Sequence, residues 1–149
     1  MGWIDTLRGS VVGLDTAPLI YFTEGDPTYL SVVNPFFQAI RQGEFKVITS
    51  IMTLLEVLVY PIKRGDAKLA QQYRDILFYT RGLTTAGLTP DIAEEAARLR
   101  AFHRIRAPDA IHMATAIRWN ASFFLTNDMG LPSLPGLKIL MLDELKTRP

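Results

Sequence analysis

Short apolar runs alternate with longer helical stretches along the chain, and this alternation constrains the fold more than any other feature. Five runs have the length and the β-branched or aromatic content of buried strands: 11–14, 45–49, the weaker 83–88, 122–126 and 137–142. Strands that alternate with helices form βαβ units. The sequence therefore predicts a single α/β domain over 1–149, with a three-layer α/β/α arrangement around a parallel sheet of about five strands.

Periodicity and end signals predict six helices between these runs. Their predicted bounds are 16–22, 29–42, 51–64, 67–80, 89–103 and 106–120. The clearest start is Thr89-Pro90-Asp91, which combines a capping hydroxyl, a first-turn proline and a first-turn acid. We expect residues 1–10 to form an N-terminal extension and the residues after 142 to form a charged tail.

Composition excludes several kinds of chemistry. The chain has no cysteine, which rules out disulfides, a thiol nucleophile, cysteine-bound zinc and iron–sulfur clusters. Because it has only two histidines, a histidine-rich metal site is not expected either. A bound metal would need oxygen ligands, and these favour magnesium, manganese or calcium. No run reaches the roughly 18 uncharged apolar residues of a membrane span, and no leader is visible. We therefore expect a cytoplasmic protein without a membrane partner.

Two carboxylates follow predicted strands directly. Asp15 ends the run Val11–Leu14, and Asp128 ends the run that closes with Thr126-Asn127. The carboxyl ends of parallel strands line the ligand crevice of an open sheet, so both acids occupy favoured catalytic positions. Each also has a structural interpretation, because Asp15 is placed to cap a helix and Asp128 to form an Asx turn.

Two further carboxylates lie on predicted core helices. Glu56 is the only charged residue between Lys46 and Lys63, in a helix that is apolar on every side and is therefore expected to be largely buried. A buried carboxylate needs a cation, a metal or a proton, and a buried salt bridge to an arginine is the alternative to a catalytic role. Asp109 begins a helix of small apolar residues, where it favours the helix dipole and is held rigidly.

These four acids are more informative together than singly, because the predicted topology brings them to one edge of the sheet. Clustered carboxylates repel each other unless divalent cations neutralise them. Oxygen ligands fit magnesium or manganese, and such clusters typically hydrolyse phosphodiesters. The sequence therefore predicts a metal-dependent site formed by Asp15, Glu56, Asp109 and Asp128.

The same residues carry a family resemblance that spans residues 11–142. It is carried by four segments in this order: Gly13-Leu14-Asp15-Thr16, Leu55-Glu56-Val57, the specific motif Arg106-Ala107-Pro108-Asp109-Ala110-Ile111-His112, and Leu125-Thr126-Asn127-Asp128. With these segments the chain resembles the PIN-domain ribonucleases, and among them VapC-type toxins. The resemblance implies Mg²⁺ or Mn²⁺ held by the four acids and cleavage of single-stranded RNA by metal-activated water.

Supporting roles and partners follow from the resemblance and from the charge pattern. Thr16, Thr126 and Asn127 are assigned supporting roles beside the acids, whereas His112 is expected to be a packed, hydrogen-bonded core residue. The resemblance also implies a homodimer and an antitoxin partner. Between residues 98 and 118 five arginines accompany one acid. Of these arginines we predict RNA contacts for Arg100, Arg104 and Arg106.

Two other classes of α/β protein with an aspartate after the first strand require residues that this chain lacks. A haloacid-dehalogenase-like phosphatase needs a second aspartate two residues after the first, where this chain has Ala17. A receiver domain needs an acidic pair at the first strand end and a late lysine after a strand, and neither is present. The remaining alternative is a catalytically silent PIN-fold binding module that acts through protein or RNA partners.

Overall fold

Five parallel strands form one sheet in the order β3-β2-β1-β4-β5, which places β1 at its centre. The computed structural model describes residues 2–146. The strands are β1 (Val11–Leu14), β2 (Lys46–Ser50), β3 (Leu83–Ala86), β4 (Phe123–Thr126) and β5 (Lys138–Met141). Helices cover both faces, so the predicted three-layer α/β/α fold with a five-stranded parallel sheet is confirmed.

Six long helices lie where the sequence predicts them, with bounds that shift by up to two residues. They are α1 (Thr16–Glu24), α2 (Leu30–Arg41), α3 (Ile51–Arg64), α4 (Ala67–Tyr79), α5 (Pro90–Phe102) and α6 (Ala107–Arg118). Ser50 caps α3 by accepting a hydrogen bond from the backbone N–H of Met52 at 3.0 Å. No helix among the residues that the structure describes is long and apolar enough to cross a membrane.

The structure adds a short helix to the N-terminal extension and corrects the prediction near the C-terminal end of the described residues. The N-terminal extension contains a 3₁₀ helix, Trp3–Leu7, in which Leu7 is buried and Trp3 stacks on Phe36 at a centroid distance of 5.8 Å. Leu142 was expected to end the last strand and residues 143–145 to begin a charged tail, but together they form the short helix α7 (Leu142–Leu145). The tail prediction is wrong there because both leucines are buried in the core; residues 147–149 lie outside the described range.

Close packing of α6 on β1 fixes the centre of the molecule. A Cβ atom on Gly13 would lie 2.6 Å from the Cβ of Ala116 and 2.8 Å from the Cδ1 of Phe124. Only a glycine lets the strand approach the helix this closely without displacing either neighbour. The small, buried residues of α6, among them Ala110 and Ala114, therefore hold this helix against the strand that ends at Asp15.

Helices α5 and α6 form an antiparallel pair on one face of the sheet. Arg118, at the end of α6, places its Nε atom 3.3 Å from an oxygen of Asp91, which lies in the first turn of α5. The end of α5 and the start of α6 are therefore neighbours at the other end of the pair. This arrangement brings the connection between the two helices beside Asp109.

Candidate functional site

Asp15 is buried at the carboxyl end of the central strand. One of its oxygens caps α1 by accepting a hydrogen bond from the backbone N–H of Thr16 at 2.8 Å. The other oxygen accepts one from the hydroxyl of Thr126, at the end of the neighbouring strand β4, at 2.7 Å. The helix-cap interpretation of Asp15 is therefore correct, and it coexists with a position in the acidic site.

Burial raises the pKa of the Asp15 carboxyl, and the negative charge of Asp109 raises it further. The charge of His112 and the hydrogen bonds from Thr126 and Thr16 offset part of this increase. A nearby cation would favour the ionised form of Asp15.

Glu56 lies on α3 and turns toward the same edge of the sheet. Its Oε1 atom accepts a hydrogen bond from the Thr16 hydroxyl at 2.8 Å and lies 2.5 Å from the Nε2 atom of His112. Although burial tends to raise its pKa, the hydrogen bonds from His112 and Thr16 and the charges of His112 and Arg106 lower it overall. Glu56 is therefore not paired with an arginine far from Asp15; it is bonded to the residue that follows Asp15.

Helix α3 is less buried than the sequence suggests. The prediction that this helix is largely buried is wrong, because four of its large apolar side chains are more than half exposed: Leu55, Val59, Tyr60 and Ile62. Only Thr53, Val57 and Pro61 are buried, and Glu56 lies between the two faces. The carboxylate is half-buried as a result.

His112 is buried against the acids, as the expectation of a packed, hydrogen-bonded core histidine requires. Its Nε2 atom lies 4.0 Å from an oxygen of Asp15 in addition to its contact with Glu56. The structure shows no hydrogen-bond partner for its buried Nδ1 atom among residues 2–146. His112 therefore lies against both Glu56 on α3 and Asp15, the residue that follows β1.

Asp109 is paired within its own helix turn. The Nε atom of Arg106 lies 3.0 Å from Oδ2 of Asp109; the Arg106 side chain is 76% exposed and that of Asp109 is 13% exposed. The hydrogen bond and charge of Asp109 raise the pKa of Arg106, and the charges of Asp128 and Glu56 add to this effect. Arg106 is thus a cation in direct contact with one of the four acids, Asp109.

The segment after β4 holds the fourth acid in a tight turn. Asp128 accepts a hydrogen bond from the backbone N–H of Gly130 at 2.8 Å, and its own N–H donates to the Thr126 hydroxyl at 3.0 Å. The predicted Asx turn is therefore present. Asn127 points elsewhere: its amide donates to the Tyr21 hydroxyl at 3.4 Å, and its oxygen accepts from the backbone N–H of Asp143 at 3.2 Å.

The donor set suits magnesium or manganese in its chemistry, although it is not assembled as a ready coordination sphere. Carboxylate oxygens are the ligands these ions prefer, and a divalent cation would offset the burial that raises the pKa of Asp15. Within residues 2–146, however, no three acidic or histidine side chains are arranged to hold a metal ion. Glu56 is engaged by His112 and Asp109 by Arg106, so metal binding requires these side chains to change partners.

Sequence reasoning missed two contacts of this site. It placed His112 in the core without its contact to Glu56, and it assigned Arg106 to RNA without its ion pair to Asp109. The spacing offered a signal for both, because Arg106, Asp109 and His112 recur every three residues and share one side of the same helical turns. Two cavities adjoin the site: one of about 980 Å³ is lined in part by Asp128, and one of about 380 Å³ in part by Glu56.

The fold and the site together define an α/β protein with acidic side chains at the carboxyl edge of a parallel sheet. Residues 12–137 match the PIN domain family. The chain therefore belongs to the PIN domain family, and the resemblance found in the sequence is confirmed. Comparison with curated proteins finds no match.

Several solved structures resemble the chain over most of its length. A toxin–antitoxin complex from Klebsiella pneumoniae is 26% identical, with a TM-score of 0.64 over 86% of this chain and 95% of that one. VapBC2 from Rickettsia felis, bound to a DNA fragment from its promoter, is 17% identical, with a TM-score of 0.66 over 88% and 98%. VapC20 from Mycobacterium tuberculosis, described as a sarcin-ricin loop cleaving toxin, is 17% identical, with a TM-score of 0.61 over 77% and 87%.

Proposed function

We propose that this PIN-domain protein is a metal-dependent endoribonuclease that hydrolyses phosphodiester bonds of single-stranded RNA, and that it is the toxin of a toxin–antitoxin pair. The observation that carries the proposal is Asp15, a carboxylate buried at the end of the central strand, where burial raises its pKa. Burying an acid costs stability, which is a common feature of sites that bind a cation. Family membership and the likeness to a toxin–antitoxin complex support the same proposal.

Asp15, Glu56, Asp109 and Asp128 would hold Mg²⁺ or Mn²⁺. When bound, such an ion supplies positive charge to polarise the phosphate and acidify a water molecule. The hydroxyls of Thr16 and Thr126 orient Glu56 and Asp15 through their hydrogen bonds. Asn127 supports the site by joining the end of β4 to Tyr21 and to the backbone of Asp143.

Arginines at the end of α5 and in the connection to α6 would hold the RNA. Arg104 and Arg106 are exposed there. Arg100 donates from its Nε atom to the backbone oxygen of Ile105 at 3.2 Å, so it orders the connection and keeps its remaining N–H groups for a phosphate. The cavities lined in part by Asp128 and by Glu56 offer space for nucleotides beside these two acids.

The partners we propose are an antitoxin and a second copy of the chain. The exposed apolar side chains of α3, among them Leu55, Val59 and Ile62, form a surface suited to such contacts. A nuclease that acts on cellular RNA meets its substrate in the cytoplasm, which is the location we propose.

The decisive experiment incubates single-stranded RNA with the protein in millimolar Mn²⁺ or in chelator. We expect cleavage only with the metal, and no cleavage by Asp15→Asn. Asp75→Asn, which changes an exposed acid on α4, should cleave like the parent. Mn²⁺ should also raise the melting temperature of the parent, because a ligand that binds only the folded state stabilises it.

Two outcomes would contradict the proposal. Equal cleavage by the parent and Asp15→Asn would point to a contaminating nuclease. RNA binding without cleavage, together with an unchanged melting temperature in Mn²⁺, would favour the alternative of a catalytically silent binding module.

A further inference from the structure

Phe102 is an aromatic side chain that the fold leaves in solvent. It is the last residue of α5 and is 82% exposed, whereas Phe36, Phe37 and Phe124 are fully buried in the two cores. Nothing about the phenylalanine alone distinguishes it, since single exposed apolar residues are common. Its surroundings do: residues 96–108 contain four arginines and a histidine and no acid.

The antiparallel packing of α5 and α6 places Phe102 at the same end of the helix pair as Asp109. The ion pair between Arg118 and Asp91 holds the opposite end together. Only residues 103–106 join the two helices, and a fully extended chain advances at most about 3.6 Å per residue, so the Cα atoms of Phe102 and Arg106 lie within about 14 Å of each other. Phe102 therefore lies at the end of the helix pair that also carries Arg106 and Asp109.

The connection is ordered from both sides. The hydrogen bond from Arg100 to the Ile105 backbone crosses it, and the Ile105 side chain packs against the core formed by α5 and α6. Arg106 is held by Asp109. Arg104 lies in the same connection, is exposed, and forms no ion pair with any residue from 2 to 146. An exposed aromatic ring and an unpaired cation thus lie two residues apart on an ordered segment.

We propose that Phe102 is a stacking platform for one base of single-stranded RNA, with Arg104 and Arg106 beside it as phosphate contacts. This inference rests on the proposed function for the identity of the strand and adds the residue that holds a base. Aromatic rings interleaved with cations are the combination that binds single strands, because the ring takes the face of any base while the cations follow the backbone. Aromatic residues and arginine are also enriched at protein interfaces, so binding of a protein partner at this segment is kept as an outcome of the test.

The test measures binding of fluorescently labelled single-stranded RNA in chelator, so that no strand is cut, across a salt series. Phe102→Ala should weaken binding roughly 5-fold to 150-fold, the effect of losing one stacked base, without changing the slope of log affinity against log salt. Phe102→Trp should restore binding. Arg104→Ala should instead reduce that slope by about 0.7, the value for one phosphate contact on a single strand.

Tyr79→Ala is the matched control, because Tyr79 is likewise the last residue of its helix, α4, and is 81% exposed. It should bind like the parent. A strand of the same length with abasic sites should bind the parent and Phe102→Ala equally well, since it has no base to stack.

Four results would overturn the stacking proposal: parental affinity in Phe102→Ala, an equal loss on the abasic strand, a change in oligomeric state that accounts for the loss, or no RNA binding by the parent. Failure of the proposed function is distinguishable. A parent that binds RNA through Phe102 and never cleaves it would leave the platform standing without the nuclease. If the parent cleaves RNA and Phe102→Ala binds RNA with the parental affinity, the nuclease proposal stands and the stacking proposal fails.

Discussion

Arg106 and Asp109 form an ion pair of 3.0 Å at the start of α6, so a cation supplied by the chain already lies against the acidic site. Replacing Arg106 with alanine frees Asp109 and removes a positive charge that also acts on Glu56 and Asp128. We expect Arg106→Ala to bind Mn²⁺ roughly two- to five-fold more tightly, an effect kept small by the exposure of the arginine. Isothermal titration calorimetry measures it.

Arg104→Ala is the control for that measurement, because it removes an equal charge two residues away that is not paired to an acid. Its Mn²⁺ affinity should match that of the parent. Weaker Mn²⁺ binding by Arg106→Ala would show that the arginine organises the site and does not compete with the metal.

The Asp15 carboxylate should lower the free energy of unfolding of the metal-free protein at neutral pH. Because burial and Asp109 raise its pKa, the folded state holds this proton more tightly than the unfolded chain does. The ionised carboxylate therefore destabilises the fold at neutral pH. Asp15→Asn, which keeps a capping oxygen, should raise the melting temperature in chelator by a few degrees.

The pH dependence gives this prediction a sign that can be checked. The advantage of Asp15→Asn should be largest above the folded pKa and should vanish as the pH falls below the ordinary aspartate value, where both side chains are neutral in both states. Asp75→Asn, on the exposed side of α4, should show no such advantage. A lower melting temperature for Asp15→Asn at neutral pH would mean that hydrogen bonding outweighs repulsion.

The sequence was sufficient to predict the sheet and to place the acids. The run Val11–Leu14 and its terminal Asp15 show a strand end directly, because strand periodicity and a charged stop are local properties. The four-residue helix α7 was missed for the opposite reason: Leu142 and Leu145 become buried only through contacts with distant parts of the chain. The sequence pattern of such a segment predicts a tail, because it does not show the distant residues that bury the two leucines.

Contacts between side chains from different elements were likewise beyond the sequence. The position of Glu56 in an apolar helix indicated that it needs a partner, but the only residue type considered for that partner was an arginine. His112 became the partner because the close approach of α6 to β1 at Gly13 brings that helix against the strand end. Local patterns indicate that a charge must be satisfied, and only tertiary packing determines by which group.

His112 should be needed to hold Glu56. It is buried, and its Nε2 atom lies 2.5 Å from the carboxylate. His112→Ala removes that contact and leaves a cavity, so the free energy of unfolding should fall by about 2 kcal/mol or more, and Mn²⁺ binding should weaken. His112→Gln, whose amide can donate to the same oxygen, should recover part of both losses.

His103→Ala is the matched control, since it alters the only other histidine of the chain, at the end of α5. Chemical denaturation and calorimetry should find it close to the parent in stability and in Mn²⁺ affinity. Parental Mn²⁺ affinity in a folded His112→Ala protein would show that Glu56 needs no help from the histidine.

Away from the acidic site, Tyr73 should make the protein sensitive to alkali. Its side chain is buried in α4, and its hydroxyl donates a hydrogen bond to the carboxylate of Glu24 on α1. Burial raises the pKa of Tyr73 well above its ordinary value of 10.0, and the hydrogen bond and charge of Glu24 raise it further. The folded protein therefore retains this proton at a pH where the unfolded chain has released it.

The sign of the effect follows from that difference in bound protons. Below pH 10 the stabilisation is fully present, and above it the free energy of unfolding should fall by about 1.4 kcal/mol per pH unit until the folded pKa is reached.

Tyr73→Phe should be less stable than the parent at pH 7 by about 1 kcal/mol, because it loses the hydrogen bond. Urea denaturation between pH 9 and 11 should show its stability falling less steeply, so that the two curves converge. Tyr79→Phe, on the exposed face of the same helix, should keep the parental steepness. Parallel curves for the parent and Tyr73→Phe would mean that the Tyr73 proton is not held by the fold.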